Sequence, residues 1–220
     1  MEIKQILKAI FVLFLINSCS SDPNRYKSSE VLKHYFDQSK PKIIKVFKSE
    51  EISKIKYPVI EVRTNGVLIQ GLMLPISERN GYSHYISGSG QALTVRGSII
   101  TKTNGINVNL ISLELEETSP LSKKIPINNW PLENIHIYSF LDAQSNIKKI
   151  KVNCRFNNKG AEKIKILEKN FDVNKVIQTC KNKNLSFSNL FWADDNGFIW
   201  KSKQWISNDN IFAEIKVLKK

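Results

Sequence analysis

Short runs of alternating apolar and polar residues occupy most of the chain from Tyr57 onward. This period of two is typical of β-strands that have one buried and one solvent-facing side. Turn signals such as Asn65-Gly66, Asn80-Gly81 and Asn104-Gly105 separate the runs at intervals of about 8–12 residues, as in antiparallel sheets. The pattern predicts an all-β protein, with antiparallel meander sheets that form a sandwich or an open barrel.

Two stretches before the strands have helical spacing of their apolar residues. Ser29 to Phe36 begins with a cap-like serine, and Ser49 to Lys54 is a second short candidate. We therefore add short N-terminal helices to the all-β prediction. No repeat of fixed period appears, and no Ser- or Gly-rich linker divides residues 25–220. Residues 28–220 are therefore predicted to be a single β-rich domain.

The N-terminus has the pattern of a secretion signal. Lys4 and Lys8 precede an apolar run, Ala9 to Ile16, about half as long as the ~20 residues that a membrane-spanning helix needs. The sequence that ends in Ser18-Cys19 resembles the bacterial lipobox, where the cysteine is acylated and becomes the new N-terminus. We predict a lipoprotein signal peptide over 1–18 and a lipidated tether over 19–27, with palmitate or similar acyl chains on Cys19.

The residue after the lipobox cysteine is serine and not aspartate. By the enterobacterial sorting rule this favours the outer membrane. We therefore expect the protein to be attached by its N-terminal lipid to the periplasmic face of the outer membrane.

The formal net charge is +13, and most of it lies in the last third of the chain. Residues 147–220 have 16 basic and 7 acidic side chains, a net charge of +9. Such an excess indicates an anionic partner, although lysines on solvated strand faces are also common in β proteins. Because a lipoprotein faces away from the cytoplasm, nucleic acid is excluded and an anionic polysaccharide or membrane surface is favoured.

Searches for catalytic and metal-binding patterns find nothing. The three histidines, His34, His84 and His136, lie far apart without a metal-binding spacing. Neither a nucleophile elbow nor a phosphate-binding loop is present. Asp194 to Gly197 is predicted to be a type I′ hairpin turn and not a calcium loop. We predict no catalytic residue, no metal and no cofactor.

Cys154 and Cys180 are the two cysteines that remain after Cys19. An oxidising compartment favours a disulfide between them. Hairpin counting argues against it: if 147–156, 162–168 and 173–180 form a three-strand meander, the cysteines lie on either side of the middle strand, about 9.6 Å apart. That separation exceeds the ~7 Å limit for a bridge, so the meander favours unpaired cysteines, and a disulfide is the alternative.

Aromatic residues and lysines are concentrated near the C-terminus. An alternating strand that packs its aromatic rings into a core explains this pattern. The core is the favoured interpretation, and the alternative is a carbohydrate platform, with rings for sugar faces and lysines for acidic substituents. The candidate residues for binding a glycan or a protein partner are Trp200, Lys201, Lys203, Gln204, Trp205 and Arg96.

The segment NLFWADDNGFIWKSKQWISNDNIFAEIKVLKK resembles the closing signature of the YjbF/GfcB family, the group 4 capsule polysaccharide lipoproteins. The stretch SGSGQALTVRGSIITKTNG and the lipobox at Cys19 resemble the same family. One departure is Ser98, where a basic residue is expected after Gly97. The resemblance implies a mainly antiparallel β lipoprotein of the outer membrane that accompanies capsule or exopolysaccharide secretion, and it implies no reaction.

The sequence therefore favours a non-enzymatic lipoprotein that assists capsule or exopolysaccharide secretion or assembly. It would bind an anionic glycan or other secretion proteins. The alternative is a periplasmic polysaccharide-modifying enzyme, but the adjacent Asp194 and Asp195 point to opposite sides if extended and so make a poor acid/base pair.

Overall fold

The computed structural model describes residues 47–65, 70–106, 110–117, 119–141, 144–207 and 210–220. These residues form one sheet of twelve strands in which every paired neighbour is antiparallel. The strands are β1 Val59–Thr64, β2 Gln70–Arg79, β3 Tyr82–Ser87, β4 Ala92–Arg96, β5 Ile99–Asn104, β6 Leu110–Leu115, β7 Glu133–Leu141, β8 Ile147–Ile166, β9 Lys169–Lys181, β10 Ser186–Ala193, β11 Ile199–Ser207 and β12 Ile211–Lys219.

The sheet curls into a nearly closed, barrel-like form. Its order is β5-β4-β3-β2-β1-β12-β11-β10-β9-β8-β7-β6, so the first and last of the described strands pair with each other. The two ends of the sheet are linked where the amide of Leu110 on β6 donates to Thr103 Oγ1 on β5, at 2.9 Å. The all-β prediction with an open-barrel form is therefore confirmed.

The main core lies inside the curled sheet. The Trp205 side chain is 1% exposed, and its ring centroid lies 4.2 Å from that of Phe187 and 4.9 Å from that of Tyr138. Phe140 contacts both Trp205 and Tyr138. Such aromatic pairs contribute about 0.5–1.5 kcal/mol each beyond the burial of their area, and they join β7, β10 and β11 across the interior.

One short helix, α1 Ser49–Ser53, packs on the outer surface of the sheet. Its Ile52 is 2% exposed and forms a small second cluster with Val59 and Leu74. The predicted helix at Ser49 to Lys54 is thus confirmed. The predicted helix at Ser29 to Phe36 lies outside the described residues, as do the signal peptide and Cys19.

No helix among the described residues is both long and apolar enough to cross a bilayer.

Strand β8 corrects the predicted meander. It runs for 20 residues, Ile147–Ile166, because the expected turn at residues 157–160 is a bulge instead, with a register shift between Asn158 and Ala161. Gly160 has a φ of 94° at this position, and a bulge of this kind takes up an extra residue without ending the strand.

Because β8 is continuous, it pairs directly with β9 and no third strand lies between them. Cys154 is therefore directly opposite Cys180. The two sulfur atoms form a disulfide bond 2.02 Å long. The expectation of unpaired cysteines is therefore wrong, because it assumed a third strand between them.

The long connection between β6 and β7 packs against two turns that carry glycines. A Cβ atom built on Gly197 would lie 1.9 Å from the carbonyl oxygen of Ile125, and one built on Gly97 would lie 2.5 Å from that of Leu121. Gly197 also has a φ of 81°, while Asn196 before it does not have a positive φ. The turn at Asp194 to Gly197 is therefore not the predicted type I′, which needs two consecutive residues with positive φ.

The disulfide is expected to stabilise the fold because it lowers the conformational entropy of the unfolded chain. The bridge spans 26 residues, so replacing both cysteines by alanine should lower the free energy of unfolding by about 3.5 kcal/mol in the chain-entropy model. Urea denaturation of the oxidised protein and of the double variant measures this difference. A difference under about 1 kcal/mol would contradict this stabilisation, and mass spectrometry of unreduced peptides tests the link itself.

Gly197→Ala should destabilise the protein more than Gly160→Ala. Both glycines have positive φ, which costs alanine roughly 1–2 kcal/mol, but no atom lies within 4 Å of a Cβ on Gly160. The excess loss of Gly197→Ala therefore reports the contact with Ile125. Thermal melting measures it, and equal melting temperatures for the two variants would contradict the close packing of the connection.

Candidate functional site

The structure separates the six residues that the sequence suggested as a binding surface. Trp200, Lys201 and Lys203 on β11 are partly exposed, and so is Arg96 on β4. Gln204 and Trp205 are core residues, at 2% and 1% exposure. Their assignment to a binding surface is corrected, because neither side chain is accessible to a ligand outside the protein.

Gln204 connects two strands through the interior. Its Oε1 accepts a hydrogen bond from the amide of Ile100 at 2.9 Å, while its Nε2 donates to the carbonyl of Ser98 at 2.9 Å and to Ser202 Oγ at 2.8 Å. The amide thus pairs with backbone groups at the start of β5. Each such group would destabilise the fold by about 1–3 kcal/mol if it were buried without a partner. This role accounts for a glutamine in the run Trp200 to Trp205.

Lys201 belongs to a charge network on the outer surface of β11, β12 and β1. Its ammonium lies 3.6 Å from the Glu214 carboxylate, which also pairs with Lys216 at 3.5 Å. Lys216 in turn lies 3.7 Å from Glu61, which accepts from Arg63 at 2.6 Å. Because the carboxylates offset most of this positive charge, the network is a weak attractor for an anionic ligand.

Lys203 and Arg96 contact aromatic rings. The Lys203 ammonium lies 5.1 Å from the centroid of Phe212, and the Arg96 guanidinium lies 5.4 Å from that of Tyr82. Four strands separate β4 from β11 in the sheet order. Arg96 and the lysines of β11 are therefore not on neighbouring strands.

Trp200 lies in a separate aromatic cluster at the start of β11. Its ring centroid is 3.9 Å from that of Phe171 on β9 and 4.8 Å from that of Phe198. The Lys220 ammonium lies over both rings, 4.0 Å from the Trp200 centroid and 3.5 Å from the Phe198 centroid. Cation–π contacts of this length contribute about 0.5–2 kcal/mol each.

The main positive surface lies on the β8–β9 hairpin. Residues 147–181 carry ten basic and three acidic side chains, whereas 182–220 carry six and four. The expected basic C-terminal third is thus mainly this one hairpin. The sequence pattern did not predict this long hairpin, because the predicted turn at 157–160 divided one long strand into two short ones.

Three cations of the hairpin root lie on one outward surface, which we name the lysine face: Lys151, Arg155 and Lys181. In the register, Lys181 is opposite Asn153, so the other two are its diagonal neighbours, roughly 7–8 Å away. All three residues are exposed. Arg155 pairs with Glu133 at 2.8 Å, and no described acidic side chain forms an ion pair with Lys151 or Lys181.

A buried polar network lies beneath the lysine face. Gln178 contacts His136 Nε2 at 3.2 Å and Asn134 at 3.4 Å, and it accepts from Asn189 at 2.9 Å. His136 is fully buried, and burial lowers its pKa to about 3, so the imidazole is neutral in the folded protein. Burial raises the pKa of the neighbouring Tyr138 well above its usual value, partly offset by a hydrogen bond to Asn189.

The network also contains a grouping of potential metal ligands. His136, Cys154 and Cys180 have ligand atoms within 4.8 Å of one another. Metals bind cysteine as the thiolate, and here the two sulfur atoms are bonded to each other. The arrangement therefore fits a structural disulfide packed against a neutral histidine.

Comparison with known proteins agrees with this architecture. The family described as "Group 4 capsule polysaccharide lipoprotein gfcB, YjbF" matches residues 37–218. The chain belongs to the YjbF family. No curated protein matches it.

A solved structure, that of the hypothetical lipoprotein YmcC from Escherichia coli (K12), is similar with a TM-score of 0.71 and 17% identity. The similarity covers 89% of this chain and 97% of that one. At this identity the likeness shows a common fold. The family model thus supports the resemblance seen in the C-terminal sequence, and it places this YjbF-family chain among lipoproteins related to capsule polysaccharide.

Acid should destabilise the protein through His136. Its folded-state pKa of about 3 lies below the unfolded value of 6.5, so between these pH values the unfolded chain binds a proton that the folded protein excludes. The free energy of unfolding should therefore fall by up to about 1.4 kcal/mol per pH unit as the pH drops through this window.

Urea denaturation at pH 7 and pH 4 measures this loss in the unchanged protein and in His136→Gln, which should lose less. His84→Gln, at a half-exposed site, is the matched control and should retain the full loss. An imidazole NMR signal of His136 that titrates near pH 6 would contradict the neutral buried state.

Proposed function

We propose that the protein is a non-enzymatic lipoprotein that assists capsule or exopolysaccharide secretion or assembly by binding an anionic glycan. Cys19 carries the lipid, and the domain is held on the periplasmic face of the outer membrane. The family membership supports the link to capsule polysaccharide. The observation that supports glycan binding is the cluster of exposed cations on the lysine face.

Mutual repulsion makes the lysine face suited to an anion. Lys181 lies roughly 7–8 Å from each of Lys151 and Arg155, so the like charges repel one another. Lys151 and Lys181 form no ion pair with a described carboxylate. A polyanion that lies across the face relieves this repulsion and releases its own counterions. The face is a sheet surface with polar neighbours, Asn153 and Thr179, which offer hydrogen bonds to sugar hydroxyls.

The partly exposed residues of the earlier candidate set play a smaller part in this proposal. Lys201 is offset by Glu214, and Lys203 and Arg96 are engaged with aromatic rings. They extend the positive potential around the sheet without forming the contact surface. Long-range attraction of this kind raises the association rate and depends strongly on salt.

Charge reversal on the lysine face tests the proposal. The full chain in phosphatidylcholine vesicles is titrated with polygalacturonate as the acidic probe and with dextran as the neutral one. Lys151→Glu with Lys181→Glu should weaken polygalacturonate binding roughly tenfold or more, which is about 1.4 kcal/mol. About 0.5 M salt should abolish binding.

The matched control is Lys102→Glu with Lys123→Glu, which changes the net charge equally at two exposed residues away from the hairpin. It should weaken binding about twofold at most. Equal losses in the two double variants would show that net charge alone acts. Binding unaffected by salt, or glycan turnover by the purified protein, would overturn the proposal.

A further inference from the structure

A half-open cavity of about 310 Å³ lies inside the barrel-like sheet, at the end where β1 begins and β12 ends. Protein interiors are close-packed, with few voids larger than a water molecule. Ligand sites, in contrast, have volumes of about 300–1,000 Å³. The cavity is therefore large enough to be a binding site, and it is separate from the lysine face.

The inner wall of the cavity is apolar. Five strands line it with side chains that are buried or half-buried, among them Ile60, Val95, Ile199, Ile215 and Val217. Apolar cavities of this kind hold water poorly and take up apolar molecules. An occupant of the inner part is thus expected to be hydrocarbon.

Three lysines line the cavity, and no aspartate or glutamate is among its described lining residues. Two of the ammonium groups are engaged elsewhere: Lys201 pairs with Glu214, and Lys219 donates to the carbonyls of Ser53 and Ile55. Lys220 differs, because its ammonium lies on the rings of Phe198 and Trp200, which also line the cavity.

Lys220 has no ion-pair partner among the described side chains. Desolvation lowers its pKa, Asp194 opposes this shift, and Lys124 adds to it. Lys220 is exposed apart from its ring contacts, so an anionic group placed beside its ammonium would gain a charge-assisted hydrogen bond. The cation therefore lies where the polar end of a bound molecule would emerge from the apolar wall.

We propose that the cavity binds a single-chain anionic amphiphile, with its aliphatic chain inside the barrel-like sheet and its carboxylate or phosphate at Lys220. Each methylene that leaves water favours binding, and a volume of about 310 Å³ suits one chain and not two. The site is independent of the lysine face. The protein would thus hold a membrane-derived lipid while its outer surface binds glycan.

Photolabelling tests this assignment in the membrane-bound protein. The full chain in phosphatidylcholine vesicles is irradiated with diazirine analogues of palmitate, of lysophosphatidate and of neutral monopalmitoylglycerol, and labelled peptides are mapped by mass spectrometry. Labels are expected in the peptides of β11 and β12 that line the cavity. Preference for palmitate or for lysophosphatidate distinguishes a carboxylate from a phosphate head group.

Two pairs of variants separate the cavity from general membrane contact. Val217→Trp fills the cavity and should reduce labelling at least fivefold, while Ile177→Trp, half-buried outside the cavity, should leave it unchanged. Lys220→Gln should reduce labelling by the anionic probes roughly tenfold, about 1.4 kcal/mol, and spare the neutral probe. Lys203→Gln, another lysine over an aromatic ring, should have no effect.

Several outcomes would overturn the proposal. Labels spread over the outer surface, or equal labelling of Val217→Trp and the unchanged protein, would show that the cavity is not occupied. If Lys220→Gln reduced labelling by all three probes equally, Lys220 would not bind the anionic head group. Polygalacturonate binding by Val217→Trp and Lys220→Gln should change no more than about twofold. Failure of the cavity proposal would therefore leave the glycan proposal standing, and failure of the glycan proposal would leave the cavity proposal standing.

Discussion

The pairing of β1 with β12 is the contact on which the rest of the structure depends. It joins the first and last described strands in antiparallel register, with Val62 opposite Ile215, and so connects the β1–β5 meander to the β6–β12 meander as one sheet. Without it each meander would expose an open edge and an apolar face. The same pairing brings Ile60 and Ile215 to the cavity wall and places Lys216 beside Glu61.

Closure of the sheet divides the side chains into two environments that serve different chemistry. Inside, the aromatic cluster around Trp205 and the amide of Gln204 fill and connect the interior, and a neutral His136 packs against the disulfide. Outside, charges offset each other at Lys201 and Glu214, whereas Lys151 and Lys181 of the lysine face form no ion pair with a described acidic side chain. The contrast explains why one short aromatic and basic motif contains both core and surface residues.

The β8–β9 hairpin shows how one local feature changes a functional interpretation. Because Gly160 permits a bulge, two predicted short strands become a single strand of 20 residues. This continuity places Cys154 opposite Cys180 and aligns the cations of the hairpin root on one surface. The positive charge expected near the aromatic-rich closing strands therefore lies two to three strands away from β11.

The period-two pattern and the turn signals by themselves determined the all-β class, the antiparallel connectivity and the short helix at Ser49, because these depend on neighbours close in sequence. The motif around Trp200 to Trp205 likewise indicated the family. The disulfide, the burial of Gln204 and Trp205, the cavity and the lysine face were decided only by the tertiary structure. Each depends on register across a bulge or on contacts between strands about 100 residues apart, such as Gln204 with Ile100, and local sequence patterns carry no information about such distant pairings.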